Sequence, residues 1–257
     1  MRVYIVNRRT LTRLLMVILL IGVSALYTAG IENGVLSVFM DNNRQIPIYC
    51  VDVPEKKIAI SFDAAWGADK TEELLKILKE HNVKTTFFLV GFWVDKFPEM
   101  VKKISDEGHE VANHSASHPQ MSTLSKEQII KELNSTSEKI EAIIGKPTTL
   151  LRPPFGDYNN RLIETSHELG YQVIQWDVDS LDYKDYGTQS IVDKVLGKVK
   201  NGSIVLFHNN ATYTPEALPI ILDELQKQGY QIVPISELIY KENYYIDHTG
   251  KQTPLKP

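Results

Sequence analysis

The chain has 257 residues, 43% of them apolar and 23% charged, which is enough for one large domain or two small ones with a sizeable core. A net charge of −4 without a basic stripe argues against a nucleic-acid partner. The single cysteine excludes a disulfide within the chain, so stability must come from packing.

Residues 1–31 stand apart. Arg2, Arg8, Arg9 and Arg13 precede an unbroken apolar run of 18 residues, LLMVILLIGVSALYTAGI (14–31), and the first acid is Glu32. A basic start before such a run marks an export signal, either a cleaved peptide or a retained membrane anchor. The run is just long enough to span a bilayer, and the arginines favour an uncleaved anchor with its start in the cytoplasm. The rest of the chain, with net charge −8, is therefore expected on the extracytoplasmic face of the membrane or in the cell wall.

Residues 32–56 form a short lead-in, in which Cys50, within IPIYCV, reads as a buried small hydrophobe. From residue 57 to 240, apolar runs of about five residues alternate with amphipathic stretches, the βα signal. The spacing predicts strands at 57–62, 85–90, 109–113, 148–152, 171–176, 203–208 and 230–235. Helices are predicted at 71–81, at 125–144 with Ser125 as N-cap, and at 215–228 opened by Pro215. Gly108, Gly170 and Gly229 fall where helices should stop. The fold class is α/β: a (β/α) barrel of about seven parallel strands fits best, with an open doubly wound sheet as the runner-up. Residues 241–257 read as a surface extension.

The unusual polar residues gather at the carboxyl ends of these strands, where α/β folds build their sites. Asp63 follows the first strand, His114 and His118 the third, and Arg152 ends the fourth. Trp176, Asp177, Asp179 and Asp182 follow the fifth, and His208 ends the sixth. Taken singly, each has a bland explanation as a cap, a turn former or a core histidine. Together they support metal-assisted hydrolysis of an amide or ester. Two imidazoles bind a divalent metal, Asp63 serves as general base, and His208 protonates the leaving group. Arg152 would keep Asp63 ionised, and Asp179 would favour the imidazolium of His208.

The segments FDAAWG, HSASHP, RPPFGDYN, WDVDSLDY and IVLFH resemble the five motifs of the polysaccharide deacetylases with the NodB homology domain, carbohydrate esterase family 4. The resemblance covers residues 57–240, and the lead-in is similar to that of sporulation-type deacetylases of Gram-positive bacteria. It implies a distorted (β/α) barrel and a hydrolase removing N-acetyl groups from the amino sugars of peptidoglycan or a related polysaccharide. By the same resemblance, Asp63 is the base, His114 and His118 bind zinc, Arg152 positions the base, and the backbone N–H near Phe155 stabilises the oxyanion. His208 is the acid, tuned by Asp179, with Asp182 a second candidate for that role. Trp66, Phe155, Trp176 and Tyr183 would hold the sugar. One departure matters: where the family motif has a second acid as metal ligand, this chain has Ala64. Either Asp63 or Asp69 fills the gap, or the metal is weakly held, or the protein is a glycan-binding pseudoenzyme of wall or spore assembly.

Overall fold

The computed structural model describes residues 8–32 and 44–255. The chain divides into two units, residues 1–44 and 45–257. In the first, a helix of 25 residues runs from Arg8 to Glu32, and its described apolar side chains, from Leu11 to Val23, are exposed. Among the described residues no helix is long and apolar enough to cross a membrane. The expected anchor lies partly outside them, since residues 1–7 and the side chains of Leu14 and residues 26–31 are not described.

The second unit is built from strands β1 (Cys50–Val51), β2 (Lys57–Ala64), β3 (Thr86–Leu89), β4 (Glu110–Asn113), β5 (Leu150–Leu151), β6 (Gln172–Val173), β7 (Val178–Asp179), β8 (Ile204–His208), β9 (Gln231–Ile232), β10 (Tyr244–Ile246) and β11 (Lys251–Pro254). The main sheet has the order β6-β5-β4-β3-β2-β8-β7, with β9 also pairing β2. Every pairing in it is parallel. The seven expected strands are all present. The short β7 is an eighth, in a stretch that reads as loop because a two-residue strand has no periodicity to detect.

Strand β2 shows why the sheet holds its shape. Ile58, Ile60, Phe62 and Ala64 join the large apolar cluster that includes the helix residues Leu74, Leu78, Leu218 and Ile221. Phe62 stacks between Phe87 and Phe207, with centroids 4.9 and 5.7 Å away. Ala59, two positions from Ser61 and four from Asp63, belongs to a separate inner cluster with Phe88, Ala112 and Ile204. Alternation with period two thus sends Ser61 and Asp63 inward and Ala64 outward. Buried on both faces, the strand needs apolar residues throughout, and the polar ones within it mark the site.

The helices lie where the periodicity puts them. Thr71–Glu80 and Thr214–Lys227 match their predicted ranges closely. Lys126–Ile144 opens with a full capping box, Ser125 accepting from the Gln128 N–H and the Gln128 side chain accepting from Ser125 N–H.

The ends of the unit correct the expected boundaries. The lead-in is part of this unit from Gln45 onward rather than a separate segment ending at 56. The tail is not a loose extension: β11 pairs in parallel with β1 and antiparallel with β10. Gln252, fully buried, exchanges two hydrogen bonds with the backbone of Tyr240. The tail's polar side chains are mostly exposed, as its composition suggests, but buried Gln252 has its partners inside.

In the described sheet β6 and β7 end the strand order without pairing to each other, so the barrel stays open. The lead-in lies along this opening. Ile48 bonds to β6 through Val173 and to Gln175, and the Val51 N–H bonds the Gly202 carbonyl just before β8. Gly202 has φ +78°, and a Cβ there would lie 1.7 Å from the Val51 carbonyl oxygen. Only glycine permits both that conformation and that approach. Gly202→Ala should cost about 3 kcal/mol or more. For a unit of this size that corresponds to a fall of roughly 6–12 °C in Tm, to be read by calorimetry and urea unfolding.

Candidate active site

The parallel sheet brings Asp63 and His208 side by side, since they are Cα partners at the ends of β2 and β8. They open into a cavity of about 550 Å³, also lined by His114, His118, Trp66, Phe155, Trp176, Asp179 and Tyr183. Of the expected site residues only Arg152 and Asp182 do not line it, and both are fully buried, Arg152 beneath Asp63.

Arg152 organises the floor. Its Nη1 donates to Asp63 Oδ1 at 2.7 Å, and its Nη2 donates to Ser61 Oγ at 2.8 Å and to the Gln175 carbonyl at 3.2 Å. The guanidinium lies over the Phe88 ring, 4.1 Å from its centroid. Burial works to raise the Asp63 pKa, but the charge of Arg152, helped by His114 and His208, outweighs it and holds the carboxyl below its ordinary range. Asp63 is therefore an ionised base.

His114 Nδ1 sits 2.6 Å from the Arg152 carbonyl oxygen, which can only accept, so Nδ1 carries the proton. Its Nε2 lies 3.5 Å from Asp63 Oδ2. Burial depresses the His114 pKa against the opposing pull of Asp63, so the ring is neutral and this contact is not a charge pair. His118 is likewise neutral, pushed down to about 4 by burial and then by His114. Its ring stands edge-on to three others, Phe155 at 4.5 Å and His114 and Trp66 at 5.0 Å.

Two neutral imidazoles suit a divalent metal, but the donor set stops there. Ala64 is fully buried in the outer apolar cluster and does not line the cavity. Asp69 is exposed and also lies outside the lining. Asp63 gives Oδ1 to Arg152, while its Oδ2 faces His114 Nε2. Among the described residues no group of three or more His, Cys, Asp or Glu side chains is placed to hold a metal ion. The residues present do not make up the three-ligand zinc site that the motif resemblance implies.

The partner of His208 is Asp182, not Asp179. Asp182 is fully buried; its Oδ1 lies 2.7 Å from His208 Nδ1, and its Oδ2 accepts from the His208 N–H at 2.7 Å and the Thr214 hydroxyl at 2.8 Å. Burial would lower the His208 pKa, but the hydrogen bond and charge of Asp182 overcome it and raise the pKa above the ordinary value. Asp179 accepts from the Leu181 N–H and stays at the cavity wall, where burial raises its own pKa. The motif resemblance puts Asp179 in this role and Asp182 second, and the structure reverses that order. The 3-10 turn Asp182–Lys184 that swings Asp182 under His208 leaves no periodic trace. Ser61, which sequence reasoning missed, was accessible through alternation: it lies two residues before Asp63 and shares its face.

Trp66, Phe155 and Tyr183 are exposed at the cavity mouth, and Trp176 is half-buried. Phe155 holds φ +60°, a strained conformation for an aromatic residue, in the turn that follows Arg152. Asp177 is structural, bonded to Ser203 Oγ and the Ile204 N–H. Cys50 is buried with its thiol pushed up to about 11 by burial, as suits a core residue.

A curled parallel sheet with an acid, histidines and a buried arginine at its carboxyl edge is an arrangement of the NodB type. The profile described as polysaccharide deacetylase matches residues 51–174. The chain is 35% identical to the peptidoglycan-N-acetylmuramic acid deacetylase PdaA of Bacillus subtilis, over 76% of this chain and 75% of that protein. It is 34% identical to the uncharacterised protein YlxY of the same organism, over 79% of this chain. It spans 63% of YlxY and 40% of the Bacillus subtilis deacetylase PdaC. A CE4 family pseudoenzyme from Bacillus anthracis has the same fold, with TM-score 0.73 and 32% identity over 82% of this chain and 73% of its own. The chain belongs to the polysaccharide deacetylase family.

Two measurements check this site. In Asp182→Asn the His208 titration midpoint should fall well below that of the unaltered protein, and in Asp179→Asn it should move much less; NMR of the imidazole reads both. The raised pKa also means that the His208–Asp182 pair stabilises the fold fully below the ordinary histidine value of 6.5 and loses that contribution as pH rises through the folded value. Metal analysis of purified protein should find well under one divalent ion per chain after gel filtration, because two imidazoles without a third ligand bind weakly. Stoichiometric retention would contradict this reading.

Proposed function

We propose that the chain is an exported N-deacetylase of amino-sugar polysaccharides, peptidoglycan or a related polymer, held at the extracytoplasmic face of the membrane by residues 1–31. One observation carries the chemistry. An acid kept ionised by a buried arginine and a histidine whose pKa is raised by a buried aspartate sit on adjacent strands and face one aromatic-walled cavity.

These residues supply acid and base on opposite sides of an acetamide. Asp63 accepts the proton of the attacking water, whose oxygen bonds to the carbonyl carbon. His208, charged through Asp182, donates its proton to the departing nitrogen. The carbon–nitrogen bond breaks, acetate leaves, and the sugar keeps a free amine. Trp66, Phe155 and Tyr183 present aromatic faces at the cavity mouth, on which sugar rings pack. The similarity to PdaA, named for action on peptidoglycan, supports this substrate class.

Ala64 favours a second reading. Without the usual second acid, the same cavity would bind glycan without turning it over, in keeping with the likeness to a CE4 pseudoenzyme. A mutant form of that pseudoenzyme with restored enzymatic activity has the same fold at 36% identity and TM-score 0.73.

Acetate release from N-acetylglucosamine oligomers, with and without added zinc or cobalt, decides between the two. The hydrolase reading expects release that drops about a hundredfold or more in both Asp63→Asn and His208→Ala, with circular dichroism unchanged. Binding of the oligomers with no release under any condition would establish the second reading instead.

A further inference from the structure

The loop between β4 and the turn Met121–Thr123 carries both site histidines, and its backbone is strained. Ser115 has φ +68° and His118 has φ +59°, left-handed values that residues with a Cβ adopt only under constraint. The hydrogen bonds of residues 115–118 show what imposes it. The Ser115 N–H donates to Asn113 Oδ1, and the His118 N–H donates to Ser115 Oγ. The carbonyls of Ser115 and Ala116 accept from the N–H groups of Gly91 and Phe92. The two remaining N–H groups, of Ala116 and Ser117, both donate to Glu132 Oε2 at 2.8 Å, and Ser117 Oγ donates to Glu132 Oε1 at 2.8 Å.

Glu132 projects from the helix Lys126–Ile144, outside the cavity lining. Its carboxylate satisfies two adjacent backbone donors and a hydroxyl at once, a clamp that a single hydrogen bond does not provide. The approach of Gly91 to the loop is equally tight. A Cβ on Gly91 would lie 3.0 Å from Ala116 Cα and 2.7 Å from Thr136 Oγ1. The loop is thus gripped between Gly91 and Glu132, and its orientation fixes the His118 ring against His114, Trp66 and Phe155.

We propose that Glu132 is a positioning residue for this site, setting the loop conformation that places His118 and, through it, the aromatic wall that receives the sugar. The ligand arm of its test rests on the glycan reading above; the spectroscopic arm does not. Ordinary tethering of a helix to a loop would lower stability without moving His118, so the readout must report on that ring.

The experiment uses the full chain with isotope-labelled histidine, and an N-acetylglucosamine tetramer as probe, followed by tryptophan fluorescence. In Glu132→Ala the His118 ring resonances should shift while those of His208 stay in place, and tetramer affinity should fall about tenfold through misplacement of the wall. Glu132→Gln should restore both. Its amide oxygen can accept the two N–H groups, and its amide nitrogen can donate to Ser117 Oγ. A folded Glu132→Ala protein with unaltered His118 resonances overturns the proposal. So does a Glu132→Gln protein as impaired as the alanine variant, since the effect would then be charge and not hydrogen-bond geometry. If Glu132→Ala does not fold, Glu132→Asp, which withdraws the carboxylate by one methylene, is judged by the same two criteria. If the unaltered protein does not bind the tetramer, that failure belongs to the glycan reading, and the His118 resonances alone decide the role of Glu132.

Discussion

The structure turns on one buried ion pair. Arg152 is wholly removed from solvent, which is costly for a guanidinium unless its charge is matched. The match is Asp63 at 2.7 Å, with Ser61 and the Gln175 carbonyl taking other donors and the Phe88 ring lying against the flat face. Removing either partner leaves an uncompensated charge in the core, so the pair ties β2 to the segment after β5. It does so at the point where chemistry is needed. The same contact that makes the arginine tolerable keeps the aspartate ionised.

A second charge pair mirrors the first. Asp182 lies under His208 and also holds its backbone N–H and the Thr214 hydroxyl. One pair lowers a carboxyl pKa, and the other raises an imidazole pKa. Because β2 and β8 are neighbours in register, the two reactive groups face the same space. The neutral histidines differ in kind, since burial strips their charge and hydrogen bonds orient them. The site therefore separates groups that carry charge from groups that offer lone pairs, and the separation comes from their surroundings.

The missing second acid is the feature that distinguishes this chain. Ala64 is a tightly packed core residue on the outer side of β2, with its carbonyl accepting from the Val90 N–H. An acid added at this position in the present conformation would enter an apolar layer. Asp63 and His208 keep their places beside His114 and His118, while the position of the motif's second acid offers no ligand.

Much of this was legible in the sequence, for a physical reason. Strand and helix periods are local properties of the chain, so seven strands and their carboxyl-end residues could be read from alternation and turn signals alone. Asp63, His114, His118, Arg152 and His208 were found because parallel strands all deliver their ends to one edge. The absence of an acid at 64 was equally plain. What only the tertiary structure decided depends on distance between separated segments. It replaced Asp179 with Asp182 as the partner of His208, through a short turn with no period. It folded the polar tail and the lead-in against each other, because buried polar groups found partners that composition cannot reveal. It also placed Glu132, a residue of ordinary helical sequence, on the loop that carries His118. Local pattern specifies which face a residue occupies, and packing alone specifies what that face meets.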